Sequence, residues 1–170
     1  MRMLVTGGYG FAGSHLVKHL TECGDDIVVT FTPNKDGEVA SPILPLPKRV
    51  QTIALDVRNK EQVEQVVSLL QPDAIIHLAA LSYVPDGESD PKNMYDVNLF
   101  GTTNLLDGVA KHSPKSRVLV VSSSEVYGMP KPTALPLVEE SELRPTSVYG
   151  VTKAAADLAA YKYSIREGLD

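Results

Sequence analysis

Tyr149 and Lys153 stand four residues apart in Tyr149-Gly150-Val151-Thr152-Lys153, about one helical turn, so both side chains fall on one face of a helix. A phenol is a poor base near neutral pH, because its ordinary pKa is about 10. An ammonium beside it stabilises the phenolate, and the pair can then give or take a proton at an oxygen of a bound molecule. The serine run Ser122-Ser123-Ser124 upstream offers hydroxyls that could hold the same oxygen. Tyr-x-x-x-Lys also occurs on many solvated helix faces, so it carries weight only through what accompanies it.

What accompanies it is a glycine loop near the N-terminus. Gly8-Tyr9-Gly10-Phe11-Ala12-Gly13 fits G-x-G-x-x-G, and Gly7, Gly10 and Gly13 also fit G-x-x-G-x-x-G. In either reading the first glycine permits a tight turn, the middle one lets backbone approach a pyrophosphate, and the last lets helix pack close to strand. Free N–H groups at the helix start favour the phosphate charge. The loop lies between an apolar strand and a helical pattern, the context such a cradle needs. The predicted ligand is a nicotinamide dinucleotide. Sites that prefer NAD usually carry a carboxylate at the end of the second strand for the ribose 2′-OH. Here that end reads Thr30-Phe31-Thr32-Pro33-Asn34-Lys35, with no carboxylate before Asp36. Thr32, Asn34 and Lys35 could contact a 2′-phosphate, which favours NADP over NAD.

The elements that must position these residues alternate. Apolar or β-branched runs predict strands at 3–6, 27–31, 50–55, 74–78 and 117–122. Apolar residues at helical spacing predict helices over 11–23, 60–70, 91–111 and 148–166, with Pro91 suited to a first turn. The Pro-rich stretches 32–49 and 129–145 read as loops. Alternating strands and helices imply an α/β fold, a doubly wound parallel sheet covered on both faces.

At 170 residues, 43% hydrophobic and 22% charged, the chain reads as one globular domain over 1–170. A net charge of -5 gives no support to nucleic-acid binding. No apolar run reaches the ~18 residues of a membrane span. The single cysteine, Cys23, excludes an internal disulfide and fits a cytoplasmic protein. Cys23 is expected to be buried at a helix end, and His77 to be a packed, hydrogen-bonded core histidine. His15, His19 and His112 lack the spacing of a zinc site. Tyr161 and Tyr163 are expected to pack rather than react.

Taken together, these motifs resemble the extended short-chain dehydrogenase/reductases of the NAD-dependent epimerase/dehydratase family, which act on nucleotide sugars. The resemblance spans nearly the whole chain and implies a Rossmann fold. It implies that Gly7, Gly10, Phe11, Ala12, Gly13, Thr32, Asp56, Val57, Leu78, Ala79, Ala80, Asn98, Tyr149 and Lys153 bind the cofactor, with Asp56 toward the adenine amino group. Ser122-Ser123-Ser124-Glu125-Val126-Tyr127-Gly128 looks like the active-site turn. There Ser123 would join Tyr149 and Lys153 in catalysis, and Glu125 would be either a catalytic carboxylate or a structural one. Ser82, Val84, Ser123 and Ser124 would face the substrate. Within the family, the stretches from His77 to Val84 and from Leu143 to Lys153 resemble the GDP-mannose branch, with its 4-keto-6-deoxymannose reductases and 4,6-dehydratases. Phe11 and Ala12 favour the reductases; dehydratase, 4-epimerase and a non-catalytic dinucleotide sensor are the alternatives, and the Tyr/Lys pair speaks against the sensor. The resemblance further implies a homodimer through helices 91–111 and 148–166, and a sixth strand and substrate lobe after Asp170.

Overall fold

The computed structural model describes residues 1–34 and 37–170. Among them, β1 (Arg2–Thr6), β2 (Asp26–Phe31), β3 (Gln51–Ala54), β4 (Ala74–His77) and β5 (Arg117–Val120) form one parallel sheet in the order β3-β2-β1-β4-β5. Every neighbouring pair is parallel, and the register sets Thr6 beside His77 and His77 beside Val120. The order reverses between β1 and β4, so a crevice opens there at the carboxyl ends of the strands.

Side-chain alternation divides the core in two. Leu4, Val28 and Ile75 face helices α2 (Lys60–Leu70) and α5 (Gly101–His112), where Val63, Val67, Leu105 and Val109 complete a dry cluster. Met3, Val5, Ile27, Val29 and Ala74 face α1 (Phe11–Glu22) through Val17. The central strands β1, β2 and β4 are buried on both faces and so apolar at nearly every position, whereas the edge strand β5 leaves Leu119 exposed.

Three differences from the sequence expectation have local causes. The helix expected over 91–111 is α4 (Pro91–Tyr95), a π-helical turn over Asp96–Phe100, and α5, continuous from 91 to 112. Periodicity cannot register one extra residue in a turn. A short helix, α3 (Val84–Ser89), precedes it and packs against α6 (Val148–Glu167). Gly87 permits this, since a Cβ there would lie 2.5 Å from Met94 Sδ. Cys23 caps α1 as expected at a helix end but is exposed, because α1 turns its apolar stripe toward the sheet; its Sγ lies 3.7 Å from His19 Nε2. Beside the edge strand β5, Leu169 is buried and the Val118 N–H donates to the Asp170 carbonyl at 2.7 Å.

Candidate active site

The glycine loop folds as a cradle with no room for a side chain at Gly7 or Gly13. Gly7 has φ +69°, and a Cβ on it would sit 2.8 Å from the Ala79 backbone. A Cβ on Gly13 would meet the Gly7 carbonyl oxygen at 2.5 Å. Gly10 is the N-cap of α1 and donates to the Gly7 carbonyl at 3.1 Å. Gly8 serves packing instead: its added Cβ would lie 2.3 Å from a Val29 methyl. The spacing that matters to the ligand side is therefore Gly7, Gly10, Gly13. Among the described residues no side chain caps α1, so its first-turn N–H groups suit an anion.

These residues form one wall of a cleft of about 680 Å³ at the switch between β1 and β4. Gly7, Gly10, Phe11, Ala12, Gly13, Thr32, Asp56, Val57, Leu78, Ala79, Ala80, Ser82, Tyr149 and Lys153, all expected at the site, line it. A crevice of this shape, floored by closely approaching backbone, fits an extended dinucleotide.

At the β2–β3 end, Asp56 is gripped by Arg58. The Arg58 Nε and Nη2 donate to its carboxylate at 3.0 and 2.6 Å, and the Arg58 backbone N–H adds a third donor at 3.0 Å. These bonds hold the Asp56 carboxyl below the usual carboxylate range. The other arm of the guanidinium reaches Asn93 Oδ1 at 2.9 Å and ties this turn to α4. Thr32 donates its hydroxyl proton to the Leu55 carbonyl at 3.1 Å. The Asn34 amide is engaged with Glu38, accepting from its backbone N–H at 2.7 Å and donating to its carboxylate at 3.0 Å. Lys35, the third residue expected near a 2′-phosphate, lies outside the described residues.

Behind the cleft wall runs a buried polar chain. Thr6 Oγ1 accepts from the Ala79 N–H at 3.2 Å and lies 2.7 Å from His77 Nδ1. His77 Nε2 lies 3.0 Å from Thr102 Oγ1, whose proton goes to the Asn98 carbonyl at 2.7 Å. The partners assign the protons: Thr6 donates to Nδ1, and Nε2–H donates to Thr102. His77 is thus neutral, and burial, helped by the nearby Lys153 charge, lowers its pKa to about 3. Asn98, expected on the cofactor side, is buried and is not among the lining residues. It clamps Leu81, accepting from its N–H at 2.8 Å and donating to its carbonyl at 2.9 Å, and reaches Thr152 Oγ1 at 3.1 Å. The π-helical turn carries Asn98 toward these partners.

Tyr149 and Lys153 share the cleft-facing side of α6. Ser147 caps this helix at the Gly150 N–H, and Glu88 accepts from the Val148 N–H at 3.1 Å. Gly150 brings α6 against the 3₁₀ turn Ser124–Tyr127, since a Cβ there would lie 2.7 Å from the Glu125 carbonyl oxygen. Lys153 is buried to 8% exposure, and desolvation lowers its pKa against a smaller opposing effect of Asp157. Ser123, Ser124, Glu125 and Val84 are not among the lining residues. Ser123 caps the 3₁₀ turn, accepting from the Glu125 N–H at 3.2 Å, while Ser124 and Glu125 are exposed. Ser122, left unassigned by the motif, lines the cleft in their place. Its sequence signal was phase: it shares strand parity with the half-buried Val118 and Val120. Arg58 and Asn93 were also missed, and nothing in the sequence joins residues 35 positions apart.

A sequence profile of the family described as GDP-mannose 4,6 dehydratase matches residues 4–170. A bifunctional UDP-glucose and UDP-xylose 4-epimerase of Pisum sativum is 36% identical over 89% of this chain and 44% of its own length. A GDP-6-deoxy-D-mannose reductase of Pseudomonas aeruginosa is 34% identical over 98% of this chain and 48% of its own. Among solved structures, Thermus thermophilus UDP-glucose 4-epimerase in complex with NAD superposes with a TM-score of 0.86 at 33% identity, covering 99% of this chain and 52% of that one. Streptomyces venezuelae dTDP-glucose 4,6-dehydratase with NAD bound gives 0.87 at 31% identity, covering 100% and 53%. The chain spans about half the length of these relatives. Among the described residues, no helix is long and apolar enough to cross a membrane.

Proposed function

Because the chain belongs to the GDP-mannose 4,6 dehydratase family, we propose that it carries the dinucleotide-binding and proton-transfer machinery of an enzyme that modifies a nucleotide sugar. The observation that carries this reading is the meeting of the glycine cradle with Tyr149 and Lys153 in a single cleft. A bound nicotinamide supplies hydride donation or acceptance. Tyr149 holds or releases the proton at the C4 oxygen of the sugar, Ser123 orients that oxygen from the adjoining turn, and the Lys153 ammonium stabilises the phenolate form of Tyr149. Glu125, one turn away, is the group that could take a proton if water is eliminated.

Reduction of a GDP-linked 4-keto-6-deoxyhexose is the reaction we favour, and the likeness to GDP-6-deoxy-D-mannose reductase along nearly the whole chain supports it. A redox-neutral 4-epimerisation is the second reading, favoured by the β2 end of the cleft. There the Thr32 proton is committed to Leu55, so Thr32 offers only acceptor lone pairs, which suit a ribose 2′-OH. A 2′-phosphate needs donors, and the Asn34 amide is engaged with Glu38. This moves our preference from NADP to NAD.

We also propose a cytoplasmic homodimer. Val151, Leu158, Tyr161 and Ile165 form an exposed apolar stripe along α6, with Phe100 exposed on the π-helical turn. Tyr161, at 67% exposure, does not pack within the chain, whereas Tyr163 bonds Asp107.

The test is calorimetric titration of the chain with NAD and NADP, followed by turnover of GDP-4-keto-6-deoxymannose and of UDP-glucose by wild type and Tyr149→Phe. Binding with NAD the tighter ligand, and turnover lost in Tyr149→Phe, is the expected result. Net consumption of reduced nicotinamide identifies a reductase; turnover without it identifies a redox-neutral epimerase or dehydratase. Failure to bind either dinucleotide refutes the whole reading.

A further inference from the structure

Glu88 belongs to none of the motifs, yet its carboxylate is engaged 60 positions away: Oε1 accepts from the N–H of Val148, the first residue of α6, at 3.1 Å. The first four N–H groups of a helix have no partner inside it. In α6 two of them are taken by side chains, Gly150 by its own N-cap Ser147 at 3.0 Å and Val148 by Glu88. A carboxylate is also the favourable charge at this end of a helix. The contact is close along the whole approach, since a Cβ on Gly87 would lie 3.3 Å from the Val148 Cβ. The chain from Leu78 to Ser82 lines the cleft and runs through Tyr83 into α3, the helix of Glu88. This wall is tied to α6 at two points. Asn98 joins Leu81 to Thr152, and Glu88 joins α3 to Val148. Tyr149 directly follows the second tie and Lys153 directly follows the first.

We propose that Glu88 is a positioning residue: its bond to Val148 fixes the first turn of α6 on the cleft wall and so holds the Tyr149 side chain at the reacting end of the cleft. The inference rests on the dinucleotide reading above. Glu88 is not among the cleft-lining residues, so it acts through Tyr149 and not on the ligand. Without the carboxylate, Ser147 alone closes the first turn, which then opens more often. Lys153, one turn further on, stays anchored through Thr152 and Asn98.

The test compares Glu88→Ala and Glu88→Gln with wild type by thermal unfolding, by NMR amide exchange without ligand, and by titration with NAD and ADP. Gln keeps an oxygen acceptor of the same reach. In Glu88→Ala the Tm should fall by no more than about 4 °C. The Val151 amide, whose bond to the Ser147 carbonyl closes the first turn, should exchange about three- to tenfold faster, with amides in the last turns of α6 unchanged. NAD affinity should fall about three- to tenfold while ADP, which does not reach Tyr149, binds as before. Glu88→Gln should lie within about twofold of wild type in both readouts. In a Tyr149→Phe background, Glu88→Ala should cost little further NAD affinity, because both changes act on the same group. Unchanged exchange in Glu88→Ala overturns the anchoring. Faster exchange with NAD affinity unchanged, or with NAD and ADP equally weakened, overturns the positioning role. So does a full further loss in the Tyr149→Phe chain, or a Glu88→Gln no better than Glu88→Ala. The dinucleotide reading fails separately, if wild type binds no NAD; the positioning role falls with it, while the exchange measurement, which needs no ligand, still decides whether Glu88 anchors α6.

Discussion

Acidification from about pH 7.5 to about pH 5 should destabilise this protein through one residue, His77. Its ring is buried between Thr6 and Thr102, with both nitrogens engaged, and its pKa falls from 6.5 to about 3. Above pH 6.5 the ring is neutral in folded and unfolded chains alike, and the residue adds no pH dependence. Below pH 6.5 the unfolded chain binds a proton that the folded chain refuses, so stability falls with pH until about 3, where both forms are protonated. At about pH 5 the loss is about 2 kcal/mol, a large part of the ~5–15 kcal/mol that holds a domain together. The carboxylates whose pKa values are lowered, Asp56, Glu64 and Asp107, lose their contribution in a more acidic range, so the window from about pH 6.5 to pH 5 belongs to His77. Urea unfolding followed by far-UV circular dichroism at half-unit pH steps measures the slope. The His77→Gln variant supplies the reference: it will be less stable at every pH, but its curve should be flat where that of wild type descends. A wild-type curve parallel to the variant's, or an NMR titration placing the His77 pKa near 6.5, would refute the argument and the proton assignment behind it.

Other perturbations follow from the same geometry. Gly13→Ala places a Cβ 2.5 Å from the Gly7 carbonyl oxygen, so it should cost about 1–3 kcal/mol in urea unfolding and abolish NAD binding in calorimetry. If the variant binds NAD normally, the close approach is not needed. Asp56→Ala should weaken NAD at least about tenfold, the effect of losing a hydrogen bond to a charged group, and weaken the hypoxanthine analogue of NAD less. Equal effects on the two would mean that Asp56 does not read the adenine amino group. Leu158→Glu combined with Ile165→Glu should convert a dimer to a monomer in light scattering without lowering the Tm, since both side chains are more than half exposed in the lone chain. A wild-type chain that is monomeric at high concentration removes the dimer proposal.

Much of this was legible in the sequence because it is local. The helix over Lys60–Leu70 has the bounds its periodicity gives, and the central strands β1, β2 and β4 are apolar runs because both of their faces are buried. Gly7 and Gly13 announce their loop because a side chain at either would collide with backbone, at Gly7 in a left-handed turn as well. Tyr149 and Lys153 share a face by helical spacing alone. What depends on contacts between distant segments was not legible. The Arg58 grip on Asp56 and its reach to Asn93 and the Thr6–His77–Thr102 chain arise where different segments meet. A motif names the residue types at a site, but hydrogen-bonding capacity is finite, and only the packed structure decides which partner takes it. Asn98 spends its amide on Leu81 and Thr152, Thr32 gives its proton to Leu55, and the buried Ser122 hydroxyl has no partner among the described residues. Local pattern suffices for the fold class and the two motifs; which of their polar atoms are already bonded depends on the packing of distant segments, because satisfying buried polar groups is a property of the whole fold.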